Sequence, residues 1–137
     1  MRLLWSKFLN YNYLAFREWR STWIDVWRDP GCRWLTISSI LLLIISWVIA
    51  VVLVSIGDNG LLILHYNIHF GIDLIGQPAS IYWLPAGVTA VAVINSFILL
   101  LHYPWVQQLR ITVLAGSLAV FLLADIALAG LLLINFR

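Results

Sequence analysis

The chain has 137 residues, 63% of them hydrophobic and 10% charged, with a formal net charge of +2. Soluble domains carry about 25% charged residues. This composition therefore excludes a disordered chain, a nucleic-acid module and an ordinary water-soluble globule, and its single cysteine excludes an internal disulfide.

Residues 1–34 are interrupted by Lys7, Arg17, Glu18, Arg20, Asp25, Arg28 and Asp29, which makes them too polar to cross a bilayer. Leu9, Tyr13, Phe16, Trp23 and Trp27 fall on one helical stripe, with Trp19 and Val26 beside it and Glu18, Ser21 and Asp25 opposite. The pattern predicts a cytoplasmic amphipathic helix lying in the membrane interface. Arg20 projects into the apolar arc, where it either snorkels to lipid phosphates or pairs on a partner. Cys32, near the same boundary, reads as inert packing.

Three apolar runs reach the length of about 20 residues that a spanning helix needs. The first, 35–56, starts too late and is too long for a cleavable signal peptide, so it reads as a retained span. The second covers 81–103. The third, 111–135, contains one charge, Asp125. Trp19, Trp23, Trp27, Trp34, Trp83 and Trp105 read as interfacial anchors, because an indole satisfies its apolar ring and its N–H together at headgroup level. Pro30-Gly31 reads as a separator before the first span. Pro85 falls in the first turns of the second span and Pro104 just past its end. Residues 57–80 form the outer loop and 104–110 a short cytoplasmic one.

Arg2, Lys7, Arg17, Arg20, Arg28, Arg33 and Arg110 flank the spans on one side, and only Arg137 lies on the other. The positive-inside rule then places the N-terminus in the cytoplasm and the C-terminus outside, in a multi-pass protein of the cell inner (cytoplasmic) membrane.

Within the outer loop, residues 64–74 alternate strictly. Leu, Tyr, Ile, Phe, Ile and Leu take the even positions, and His65, Asn67, His69, Gly71 and Asp73 the odd ones. Alternation of this length predicts an extended strand with one polar face. A lone strand leaves its backbone groups unpaired. It must pair with another chain, fold back as a hairpin about Gly71, or lie on the bilayer surface. His65, Asn67, His69 and Asp73 share the polar face, but residues four apart along a strand are separated by roughly 13 Å. That is too far for both histidines to ligate one ion at 2.0–2.1 Å each. Only a helical segment would stack His65, His69 and Asp73, and Gly71 with the alternation disfavours a helix, so no metal or cofactor is expected.

The run from Leu64 to Gly76, LHYNIHFGIDLIG, resembles a segment of small uncharacterised bacterial multi-span membrane proteins, where it also lies between the first span and a following pair of spans. The resemblance implies a membrane protein and assigns no catalytic residue.

Asp125 is the one ionisable residue well inside a span. Such residues usually face a protein interior or a wet cavity. By depth, Thr89 is its expected partner, with Asn95 nearer the cytoplasmic side and His102 at that boundary. Ala115, Gly116, Ala119, Ala127 and Gly130 form a small-residue face suited to close helix packing, and Asp125 points away from it. That leaves open a second interface at Asp125, or a protonated Asp125 facing lipid.

The expected fold is thus an all-α membrane protein. It has three transmembrane helices, an N-terminal interfacial helix and a short extended strand or hairpin in the outer loop. The sequence contains no nucleophile–base–acid set, no Cys/His cluster and no phosphate-binding glycine loop. The leading expectation is a non-enzymatic subunit or scaffold in the lipid bilayer, partnered by copies of itself or another membrane protein and not by nucleic acid. The alternative is an oligomeric proton or cation transporter component using Asp125. An intramembrane enzyme built on His65, His69 and Asp73 ranks last.

Overall fold

The computed structural model describes residues 13, 16–17, 20–21, 23–57, 60–67, 69–101 and 107–136. The described residues from 13 to 28 are helical (α1), and a bend at Asp29 leads into α2 (Pro30–Ile56). The strands β1 (Leu62–Asn67) and β2 (Gly71–Gly76) follow. A 3-10 turn (Pro78–Tyr82) then runs into α3 (Trp83–Leu101), and the last helix is α4 (Gln107–Asn135). Three segments are long and apolar enough to cross a membrane: α2, the turn with α3, and α4. At 1.5 Å per residue, the 27 residues of α2 and 29 of α4 extend about 40 Å and about 44 Å, more than the ~30 Å of a hydrocarbon core.

The helix ends differ from the limits of the apolar runs because capping, not hydropathy, sets where a helix starts. Asp29 Oδ1 accepts hydrogen bonds from the N–H groups of Gly31 and Cys32, at 2.8 and 3.1 Å. Pro30 takes the first helical position, where its missing N–H has no partner to lose. The Pro-Gly pair therefore opens α2 instead of separating it from what precedes. Likewise α4 begins at Gln107 and carries Arg110 within its first turn.

The bundle is organised by α2 lying along α4. Cys32, Thr36, Ser39, Ser46, Ala50 and Leu53 are the buried positions of α2, recurring at steps of three, four and, between Ser39 and Ser46, seven residues. Leu114, Ser117, Phe121, Asp125 and Leu128 do the same on α4. Such spacing makes a seam of side chains along each helix. Gln107 meets Asp29 and Ser46 meets Asp125, sequence separations of 78 and 79. The nearly constant offset means that the two helices run parallel and in register, which two spans joined through an intervening third one must do. α3 returns antiparallel and packs on α4. One apolar cluster, of Ala50, Leu53, Leu62, Ile81 and Leu128, closes the hairpin end. A second, of Val26, Cys32, Leu99 and Leu114, closes the α1 end.

The small-residue face of α4 is not this seam. Ala115, Gly116, Ala119 and Ala127 are exposed, and Gly130 is half-buried. Close approach is achieved from the other helix. Ser39, Ser46 and Ala50 of α2 are small, and Ala50 clusters with the bulkier Leu128 of α4.

The alternating run forms two strands in place of one continuous strand over 64–74. Its backbone groups pair within the chain, Asn67 opposite Gly71 and Leu62 opposite Gly76, with irregularities in register around His65. Gly71 carries the reversal at φ +77°, a left-handed conformation in which a Cβ is unfavourable. No atom lies within 4 Å of where a Gly71 Cβ would sit. Gly71→Ala is therefore expected to cost only the conformational penalty, about 1–2 kcal/mol. The loss should register as faster amide exchange across β1 and β2, with exchange in α2 and α4 unchanged.

Candidate functional site

Asp125 lies on the buried seam of α4, 7% exposed, and does not face outward. Its Oδ1 accepts a hydrogen bond from the Ser46 hydroxyl of α2. Its Oδ2 has no partner among the described residues. Thr89, its expected partner by depth, is engaged elsewhere. The Thr89 hydroxyl donates to Pro85 O at 2.7 Å and accepts from Trp47 Nε1 at 3.1 Å. The Trp47 ring also stacks on Tyr82, centroids 6.1 Å apart, so this group ties α2 to the start of α3. Depth alone misassigned the partner. Thr89 and Asp125 sit at similar levels, but Ser46 is the residue that the α2–α4 seam places opposite the carboxyl.

Two turns before Asp125 along α4, the three helices enclose a crevice of about 100 Å³. Thr36 and Ser39 of α2, Asn95 and Ser96 of α3, and Ser117 of α4 line it with uncharged polar groups. Asn95 Nδ2 donates to Ser117 Oγ at 2.7 Å, joining α3 to α4. The hydroxyls of Thr36, Ser96 and Ser117 each donate to a carbonyl one turn back, the usual outlet for Ser and Thr in a helix. Ser39 does not. Its Oγ is buried with no partner among the described residues. Phe121 forms the wall on the side nearer Asp125. Ile40, Leu43, Leu99 and Leu114 complete the walls, so the crevice is mainly apolar and suits an apolar group better than water, which takes about three hydrogen bonds.

At the hairpin, the fold-back brings His65 and Asp73 together. His65 Nδ1 lies 2.6 Å from Asp73 Oδ1, and both side chains are exposed. Asn67 Oδ1 accepts the His69 N–H at 2.9 Å, stabilising the turn, and His69 itself is exposed at the tip. Thus two of the four polar residues form a pair and the other two build the reversal. Among the described residues, no three or more His, Cys, Asp or Glu side chains gather as metal ligands would.

The hairpin is fastened by Asn135 at the end of α4, a residue that the periodicity did not single out. Asn135 Oδ1 accepts the Ile63 N–H and Asn135 Nδ2 donates to Ile63 O, both at 2.9 Å. One side-chain amide thereby acts as a neighbouring strand would toward β1. Asn95, Ser39 and Ser46 also gain their roles only from helix packing. Their one signal in the sequence is seven-residue spacing: Ser39 and Ser46 share the face of α2 that Thr36 and Ala50 continue.

At the opposite end, Gln107 Nε2 donates to Asp29 Oδ2 at 2.5 Å, and Arg110 lies 3.8 Å from Asp25. The Cys32 N–H holds the Asp29 carboxyl below its ordinary range, against partial desolvation and with help from Gln107, Gly31 and Arg110. Of the tryptophan anchors, Trp34 and Trp83 are 62% and 81% exposed, as is Trp27 at 47%, whereas Trp23 is half-buried against the crevice. Trp19 and Trp105, with His102, lie outside the described residues.

Comparison with known protein families, characterised proteins and solved structures found no match.

Asn135→Ala would strip both hydrogen bonds from Ile63. Leaving such groups unsatisfied costs about 1–3 kcal/mol each. Amide exchange at Ile63 is expected to accelerate at least tenfold, with α2 and α4 protected as before.

Proposed function

We propose that this chain is a small, multi-pass, non-enzymatic membrane subunit or scaffold, which assembles through its outer hairpin with a second copy or another membrane protein. The membrane placement is supported by three apolar segments of spanning length. The orientation, N-terminus cytoplasmic and C-terminus outside, rests on Lys and Arg gathering beside α1, the start of α2 and the start of α4.

The observation that carries the reading is the condition of the hairpin. Among the described residues β2 pairs with β1 alone, in a two-stranded sheet. Phe70 is 83% exposed, and Ile72, Leu74 and Ile75 are each about half exposed. Two-stranded hairpins are marginal by themselves, yet this one is held to α4 by Asn135 and to the bundle by Leu62. A free strand edge with apolar side chains, fixed to a rigid base, is the geometry of strand addition by a partner. The test is a photocrosslinking residue at Ile72 or Ile75 in native membranes. A discrete protein adduct is expected from either position, and Ile75→Lys placed beside a crosslinker at Ile72 should abolish it. Adducts with lipid alone would sink the proposal.

A second reading, a proton or cation pathway in an oligomer, is favoured by Asp125 Oδ2 and the Ser39 hydroxyl on the same seam, both without a partner among the described residues. Asp125→Asn keeps the size and the Ser46 hydrogen bond but removes the ionisable group. On this reading, proton or cation flux into reconstituted vesicles falls at least tenfold in the variant. Equal flux in both proteins would eliminate it.

A further inference from the structure

We infer that the outward side of α1 is a binding site for one anionic phospholipid, with Arg20 and Arg28 holding its phosphate between the rings of Trp23 and Trp27. The inference rests on the membrane placement proposed above but not on the assembly function.

Arg20, Trp23, Ile24, Trp27 and Arg28 line one open concavity of about 450 Å³. They are spaced at three, four, seven and eight residues, so they share one face of the helix. Arg20 and Arg28 stand at the two ends of this face, about 12 Å apart along the axis, with two indoles and an isoleucine between them. Among the described residues no carboxylate lines the concavity, and Asp25 turns instead toward Arg110. The planar donors of a guanidinium match phosphate oxygens in pairs. Among the described residues this charge is therefore uncompensated, and the proposed membrane placement sets it near the level of lipid phosphates.

Trp23 distinguishes a phospholipid from a free phosphate. Its ring is also a wall of the groove between α2 and α3, together with Leu43, Ala92, Val93 and Phe97. Trp23 thus belongs to both concavities, one flanked by arginines and the other by apolar side chains. A ligand with phosphate at one end and an acyl chain at the other satisfies both halves, and an inorganic anion satisfies only the first. The geometry also accounts for Arg20, whose place in the apolar arc of α1 is otherwise unfavourable. The long stem covers apolar surface while the head reaches phosphate.

The test is native mass spectrometry of the full chain released from a neutral detergent, titrated with phosphatidylglycerol or with phosphatidylcholine of the same acyl chains. One phosphatidylglycerol should bind about 30-fold tighter than phosphatidylcholine, the ratio expected from two basic contacts at a membrane surface. Arg20→Gln with Arg28→Gln should erase this preference, and Arg20→Lys with Arg28→Lys should keep most of it. Arg17→Gln with Arg33→Gln removes the same charge from elsewhere on the same side and should change the preference less than twofold. Millimolar glycerol phosphate should not displace the lipid. Equal binding of the two lipids would overturn the inference, as would equal loss in the Arg17/Arg33 variant, which would mean diffuse attraction. Displacement by glycerol phosphate would overturn the lipid and leave an ion site.

Discussion

The contact between α2 and α4 is the constraint on which the rest of the molecule depends. Two helices separated in sequence by a hairpin and a third helix lie parallel, in register and closely packed, and everything else is hung on that pair. The closeness comes from asymmetry. Small side chains on α2, namely Ser39, Ser46 and Ala50, share the seam with the large, buried Phe121 and Leu128 of α4. In lipid, apolar surface gains little by leaving one apolar medium for another, so dense packing and interhelical hydrogen bonds must supply the association. The Ser46–Asp125 bond lies on this seam, and the Asn95–Ser117 bond brings α3 to it. Bonds of this kind contribute about 0.6 kcal/mol on average in a membrane. Their larger effect is on register. A one-residue slip of α4 would rotate Asp125 about 100° from Ser46 and leave a carboxyl unsatisfied.

The two ends of the seam are finished differently, in keeping with what each must bind. At the α1 end, Asp29 caps α2 and receives Gln107 from α4, so one carboxylate fixes a helix start and the spacing of two helices. At the hairpin end, the last turn of α4 uses a neutral amide. Asn135 meets one donor and one acceptor on Ile63, which a carboxylate, as acceptor only, would not do. The hairpin is thus positioned by the same helix whose middle carries Asp125. A partner seated on β2 would act on α4 through β1, which gives the assembly reading and the Asp125 reading a common mechanical element.

Much of the architecture was legible in the chain because its signals are one-dimensional. Span number and approximate extent follow from apolar length, and the hairpin alternative about Gly71 from alternation broken by a residue that tolerates positive φ. The alternation itself pointed to one strand over 64–74. A strand and a tight hairpin share the same two-residue period on either side of the turn, so periodicity alone does not separate them. The start of α2 was misplaced for a similar reason. Hydropathy begins where polar residues stop, whereas the helix begins at Asp29, whose side chain satisfies the first free N–H groups.

What the chain determined by itself was its apolar segments, the side on which its basic residues gather, and the presence of one carboxyl where carboxyls are costly. The tertiary structure alone decided which surfaces meet. It chose the face of α4 that packs, gave Asp125 to Ser46 and withheld it from Thr89, and left Ser39 in its crevice without a partner among the described residues. It also made Asn135 the fastening of the hairpin. The physical reason is that depth and period are properties of one helix, while a hydrogen bond between helices depends on the rotation and offset of both. Those are set by side-chain volumes on two segments about 79 residues apart, and no local pattern records them.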